Sequence, residues 1–374
     1  MQRIEWANSL RGLAALIVLA SHYYYTFWFN HSAAAYLARH QPVLNTPQDT
    51  PALFRLLDIF PVHLGSLGVA LFFLLSGYVI SISFDHYSRM GFLFARTMRV
   101  LPTYAAGYLV SCAVIWALAD PRGELSVHAV LAGMVPGLSH LVNVAVPADG
   151  IVWTLIIELV FYVVCLLFYR RLASCWKTVA LVAGLCVLVQ TVLPPKASGA
   201  EYVILLSAPF LPVMLIGVVL ASSRRGNFLP LQTALLVAGL TVTHAVLMVT
   251  SSLAPTPLSY RVTFIGTILL FAGISACGEG WRPRTVTSLL ADISYPLYVV
   301  HPVLGYAMMS VLIAHGAGAV TAAVNATVAA VLTAYLLHRL IEAPTHRLGR
   351  LWARRLSGLS PSVGHSHPQP AKLG

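Results

Sequence analysis

Charge is what this chain most conspicuously lacks. Of 374 residues only 9% are Asp, Glu, Lys or Arg, and the acids number 12. A water-soluble chain of this length needs a far more charged surface, so a soluble globular fold is excluded. Cysteine is scarce too. Cys112, Cys165, Cys175, Cys186 and Cys277 lie in or beside apolar runs at no metal-ligand spacing, and read as small core residues. No internal period stands out, which argues against a solenoid or a propeller. The net charge of +11 does not point to nucleic acid, because the basic residues cluster beside apolar runs, where they set topology. What fills the chain instead is hydrophobic side chain, at 58%. Repeated apolar runs of about 20 residues predict an all-α, polytopic membrane protein.

About ten transmembrane helices are expected, over 9–29, 63–84, 100–119, 151–169, 176–193, 202–220, 228–250, 258–277, 288–314 and 317–342. Small residues at 32–35 follow the first run as they would a signal peptide, but that run is long and carries ionisable groups, so it is read as an uncleaved span. Placing the N-terminus in the cytoplasm puts 18 of the 23 Lys and Arg inside and five outside. That bias predicts both termini cytoplasmic. Two external segments are long. One, 30–62, carries histidines, prolines, Asp49 and Asp58; the other, 120–150, is half-apolar and broken at Pro136 and Gly137, as an interfacial or re-entrant piece would be. The membrane domain is expected over 1–346. A basic tail, 347–374, is predicted to be disordered, and its His365 and His367 are too few to argue a metal site.

Polar groups inside spans carry the functional signal. The first span, "SLRGLAALIVLASHYYYTFWF", holds Arg11 and His22 eleven residues apart. Eleven residues make about three turns, so the two share a face roughly 16 Å apart along the axis. They mark a wet interior, or else a boundary arginine and a core histidine. Arg96 and Arg99 share a face beside Pro102, which is expected to open the third span. With Arg11 they are topology markers or a clamp for the phosphates of a cytosolic cofactor. Ser76 and Gly77 leave room beside them for a substrate arm, or merely let helices approach. Glu158 is the one carboxylate in the middle of a span. Its depth, about 20 Å from the inner surface, matches that of His22, so the two are expected to pair, the carboxylate orienting the imidazole. Trp153, Tyr162, Tyr295 and His301 are the substrate-binding candidates near this level, and Pro296 and Pro302 are expected to kink the ninth span. His338 and Glu342 read as a structural i,i+4 pair.

In this order "LRGLAALIVLASH", "GVALFFLLSGY", "FLFARTMRVLPTY", "WTLIIELVFY" and "SYPLYVVHP" resemble the motifs of the membrane acyltransferase-3 family, ten-span O-acyltransferases, over residues 3 to about 346. The second arginine motif departs from the family's adjacent arginines, since Ala95 and Thr97 flank Arg96. The resemblance implies transfer of an acyl group, usually acetyl, from cytosolic acyl-CoA to a hydroxyl of a sugar or other acceptor at the outer face. It implies an essential role for His22 and a donor role for Arg11. It also implies a bacterial inner-membrane location. The C-terminal esterase-like domain of some members is not expected in about 30 residues after the last span.

The expected machinery follows. Arg11, Arg96 and Arg99 hold the donor's phosphates, and Ser76 and Gly77 flank its arm. His22 takes the proton of the acceptor hydroxyl or becomes acylated itself, and no metal is needed. The acceptor expected is an exopolysaccharide or a lipid-linked sugar. The competing reading is a transporter or flippase of a polar solute, which would also surround a midplane site with kinked helices.

Overall fold

A computed structural model describes residues 4–44, 50–55, 62–119, 126–146, 150–194, 198–251, 256–277 and 285–359. Asp49, Asp58, His365 and His367 lie outside these. Every regular element among the described residues is a helix. The principal ones are α1 Glu5–Ser21, α2 His31–Ala38, α3 Leu64–Ser83, α4 Arg89–Leu118, α5 Val152–Phe168, α6 Trp176–Val192, α7 Gly199–Ser207, α8 Leu211–Arg224, α9 Pro230–Thr250, α10 Leu258–Cys277, α11 Thr285–Ala314, α12 Ala319–Leu337 and α13 Ala343–Leu356.

Each of the ten predicted stretches is helical. Among the described residues six helices are long and apolar enough to cross a membrane, and a seventh is formed if α7 and α8, bent by 49°, make one broken span. The protein is thus a multi-pass helical membrane protein. α5 and α6 are apolar but only 17 residues each.

The helices differ in how far they are enclosed. In α3 and α11, 67% of the apolar window is buried, against 22% in α9, so α3 and α11 are central and α9 is peripheral. α1 packs against both central helices. Close packing of α3 on α8 depends on Gly77. A β-carbon there would collide with the Met214 carbonyl, and one at Gly217 would collide with the Leu74 carbonyl. Backbones this close admit only small residues.

Two expectations change. The helix that carries Arg96 and Arg99 begins at Arg89, so Pro102 lies inside it rather than at its start. Hydropathy alone hides this, because the first three turns are basic. Their start is fixed instead by Ser88, whose hydroxyl accepts from the Gly91 N–H at 3.2 Å. The basic tail is not disordered from 347, since α13 runs to Leu356. It lies on α4, where Gly91 and Gly349 admit the Ala353 carbonyl and Met98. The Ser88 N–H and hydroxyl bond to Ser357 Oγ at 2.8 Å and to the Leu356 carbonyl at 3.1 Å. The ninth predicted span is a single helix, α11, of 30 residues with both Pro296 and Pro302 inside it, as expected. The piece expected to be broken near Pro136 consists of two short helices, Val127–Gly133 and Leu138–Leu141, with Gly137 at φ 84° between them.

Candidate active site

Two groups of polar residues occupy the interior, one at the arginine end of the bundle and one about two turns further along α11. The first lines a cavity of about 510 Å³. Arg11 reaches it from α1, Arg96 and Arg99 from α4, and Arg347 and Arg350 from α13. Arg96 is 8% exposed, and its guanidinium bonds to Ser83 Oγ and lies over the Phe92 ring. Arg11 and Arg99 are half-buried and make no hydrogen bond or ion pair among the described residues. Two carboxylates also face the cavity. Glu342 is held by His338 at 2.7 Å, as the spacing predicts, and Asp292 has a partner of its own. Unpaired arginines in a shared cavity make an anion site, since guanidinium matches phosphate oxygens in charge and shape.

A narrower cavity of about 60 Å³ adjoins it, and Arg11, Arg99 and Ser294 line both. Its walls include Ser76, Glu158, Phe72, Tyr295 and Tyr298. Glu158 Oε1 accepts from Ser76 Oγ at 3.1 Å and from Tyr162 Oη at 2.6 Å. The predicted pairing of Glu158 with His22 is therefore not what forms. Matching depth along two helices does not fix which way each side chain points.

The second group is the histidine cluster. α1 ends at Ser21, and the chain continues as a π-helical turn, His22–Thr26. Such turns re-aim side chains and recur at functional sites. His22 Nδ1 lies 2.9 Å from Tyr306 Oη, and its ring meets His301 edge-on at 4.8 Å. His301 is 1% exposed. Its Nδ1 faces the Leu297 and Tyr298 carbonyls at 3.0 and 2.9 Å, so Nδ1 carries the proton, and Nε2 has no partner among the described residues. The Tyr23 hydroxyl donates to the His301 carbonyl at 2.6 Å, and Gly305 leaves room for the Tyr23 ring. Two imidazoles thus face each other in an aromatic box with His301 Nε2 free to accept a proton or a hydrogen bond.

Along α11 the residues run in the order of the sites. Asp292 and Ser294 line the wide cavity, and Tyr295 and Tyr298 the narrow one. His301 follows, with its ring 5.9 Å from that of Tyr298. Ser294 to His301 is about 10 Å at 1.5 Å per residue. Phe72 and Tyr298, edge-on at 5.2 Å, both line the narrow cavity, and neither histidine does.

The predicted site residues therefore divide. Arg11, Arg96 and Arg99 come together, as do His22 and His301. Ser76 and Tyr295 line the narrow cavity, though the Ser76 hydroxyl is bonded to Glu158 and that of Tyr295 to the Val100 carbonyl at 2.9 Å. Gly77 faces α8 instead of any passage, and its smallness serves helix packing. Trp153 packs between Phe73 and Phe210, with ring centroids at 6.3 and 5.4 Å, and lines neither cavity. Tyr162 serves Glu158 rather than the cavity wall. Sequence reasoning missed Tyr306, Arg347 and Arg350. The arginines carried a signal in their i,i+3 spacing, the same as that of Arg96 and Arg99.

Comparison with known proteins agrees with the motif order. A family model described as "Acyltransferase domain", that of the acyltransferase-3 family, matches residues 4–339. The chain is also similar to Acyltransferase MdmB of Streptomyces mycarofaciens. The two are 27% identical over 331 residues, which cover 76% of this chain and 82% of the relative. No solved structure matches. A match across nearly the whole chain places this protein in the acyltransferase-3 family.

Proposed function

We propose that this protein is an integral-membrane O-acyltransferase of a bacterial inner membrane. It moves an acyl group, acetyl as in the usual family reaction, from cytosolic acyl-CoA to a hydroxyl of a carbohydrate at the outer face. The chain crosses ten times and keeps both termini in the cytoplasm, which puts the arginine cavity at the cytosolic mouth. One observation carries this reading. Unpaired arginines from two helices line a wide cavity, two of them also line the narrow one, and Tyr298 of the narrow one has its ring 5.9 Å from that of His301.

Arg11, Arg96 and Arg99 hold the donor's phosphates, and its thin arm enters the narrow cavity past Ser76 and Tyr295. Glu158, fixed by Ser76 and Tyr162, balances the charge of Arg11 and Arg99 at the neck and does not orient the imidazole. That task falls to Tyr306. With Nδ1–H of His22 donating to the phenol oxygen, Nε2 keeps its lone pair and acts as the base. The acceptor hydroxyl gives its proton to Nε2 while its oxygen attacks the thioester carbonyl. The C–S bond breaks, and the proton passes to the departing thiolate. His301 Nε2, which can only accept, takes a hydrogen bond from a second hydroxyl of the saccharide and so positions the reacting one beside His22. The Phe72–Tyr298 pair must separate to let the thioester through.

The test uses purified protein in nanodiscs with acetyl-labelled acetyl-CoA and a panel of surface polysaccharides. Acyl transfer to a saccharide hydroxyl is the expected result. Acetyl-CoA that binds and is never cleaved, with saccharide moved across the bilayer, would overturn the enzyme reading in favour of transport.

A further inference from the structure

The cytosolic cavity holds more positive charge than three arginines provide. Among the described residues six arginines line it, namely Arg11, Arg96, Arg99, Arg339, Arg347 and Arg350, against two carboxylates, of which Glu342 is held by His338 and Asp292 has a partner of its own. Arg339 is also engaged, donating to Tyr335 Oη at 3.1 Å. Arg347 and Arg350 make no hydrogen bond or ion pair among the described residues. They are i,i+3 neighbours on α13, on the side of the helix that turns toward the cavity. His346 beside them lies within electrostatic reach of Arg11, Arg96, Arg99 and Arg350, so the arginines of three helices surround one space.

The cations are also graded in depth. Arg96 is buried, Arg11 and Arg99 are half-buried, and Arg347 and Arg350 are exposed at the rim. α13 is held in place for this. Gly349 and Ala353 seat it on α4, and Ser357 ties its end to Ser88. An acyl-CoA has its anionic groups in a matching order. Next to the pantetheine arm comes the diphosphate, and beyond it the ribose 3′-phosphate. An arm that enters the narrow cavity leaves the diphosphate among the deep arginines and the 3′-phosphate at the rim.

We propose that Arg347 and Arg350 of α13 form a 3′-phosphate subsite. The C-terminal helix then makes the protein select coenzyme A thioesters over donors that lack that phosphate. The inference rests on acyl-CoA being the donor, as proposed above.

The test compares binding of acetyl-CoA and 3′-dephospho-acetyl-CoA to the full-length protein in phosphatidylcholine nanodiscs, by calorimetry. The wild type should favour acetyl-CoA by about tenfold or more, the size of a charge-assisted contact. In the double variant R347Q/R350Q that preference should vanish through weaker acetyl-CoA binding, with 3′-dephospho-acetyl-CoA affinity held within about twofold. The variant R354Q/R355Q alters the same helix away from the cavity lining and should keep the preference. Equal weakening of both ligands in R347Q/R350Q overturns the subsite alone, as does a wild type that binds both equally. A wild type that binds neither ligand overturns the donor reading and the subsite with it.

Discussion

The two polar regions of this protein solve opposite problems. The arginine cavity is wide, draws on α1, α4 and α13, and leaves several cations without partners. The histidine cluster is tight, and its rings are packed edge-on and tied to neighbouring oxygens. A charged ligand that arrives from water needs open space and unspent guanidinium. A proton transfer needs two heavy atoms held at fixed geometry with water kept out. The proposed function separates recognition from chemistry along a single helix, α11, with Glu158 and the Phe72–Tyr298 pair lining the narrow cavity.

The separation is broken most severely by exchanging its defects. His22→Ala should lower kcat by about 10²- to 10⁴-fold, the range for loss of a general base, and leave acetyl-CoA affinity unchanged. Arg99→Gln should do the reverse. It should raise the KM for the donor by about 10- to 100-fold, as expected for a lost contact to a charged group, with kcat nearly intact. Steady-state kinetics with calorimetric donor binding reads both. If His22→Ala weakened donor binding as much as Arg99→Gln does, the two regions would be one site.

A finer cut concerns Tyr306. Tyr306→Phe removes the partner of His22 Nδ1 and nothing that the donor touches. The expected loss is about tenfold in kcat with the donor KM unchanged, close to the value of one hydrogen bond. The pH–rate profile should move as well, because in the proposed mechanism the phenol oxygen accepts from Nδ1–H and so keeps Nε2 as the base. A purely structural role would lower the amount of folded enzyme and leave the profile where it was.

How far this was legible in the sequence depends on the kind of residue. Arg11, Arg96, Arg99 and His22 stand out because ionisable groups are rare in apolar runs, and they do lie in the interior. Tyr306 leaves no such mark, since tyrosine is ordinary in a membrane helix. Glu158 is conspicuous but its partner was not readable. Spacing gives depth, and depth leaves the direction around each helix open. α13 was hidden for another reason. Four arginines in ten residues lower its mean hydropathy, and its helical signal is the i, i+3, i+4, i+8 spacing of Leu348, Leu351, Trp352 and Leu356 rather than a long apolar run. The fold was legible at the level of helices and less so at their ends, where basic turns extend past the apolar run, as at Arg89.

The smallest expected effect on chemistry sharpens the contrast between neighbours. Ser76 and Gly77 are adjacent, and sequence alone gives both the same role beside the donor. The structure turns Ser76 toward Glu158 and Gly77 toward the Met214 carbonyl. A methyl group at Gly77 has no space unless α3 and α8 move apart. Gly77→Ala should therefore destabilise the protein by about 1–3 kcal/mol, the range for overpacking, and lower its melting temperature in detergent. The fraction that folds should keep the wild-type donor KM within about twofold, because no cavity wall has changed. Ser76→Ala leaves the helix crossing intact and removes a bond to Glu158 at the neck of the passage. It should show the opposite pattern, with an unchanged melting temperature and a modestly raised KM. A raised donor KM in folded Gly77→Ala would return that residue to the passage and remove the distinction.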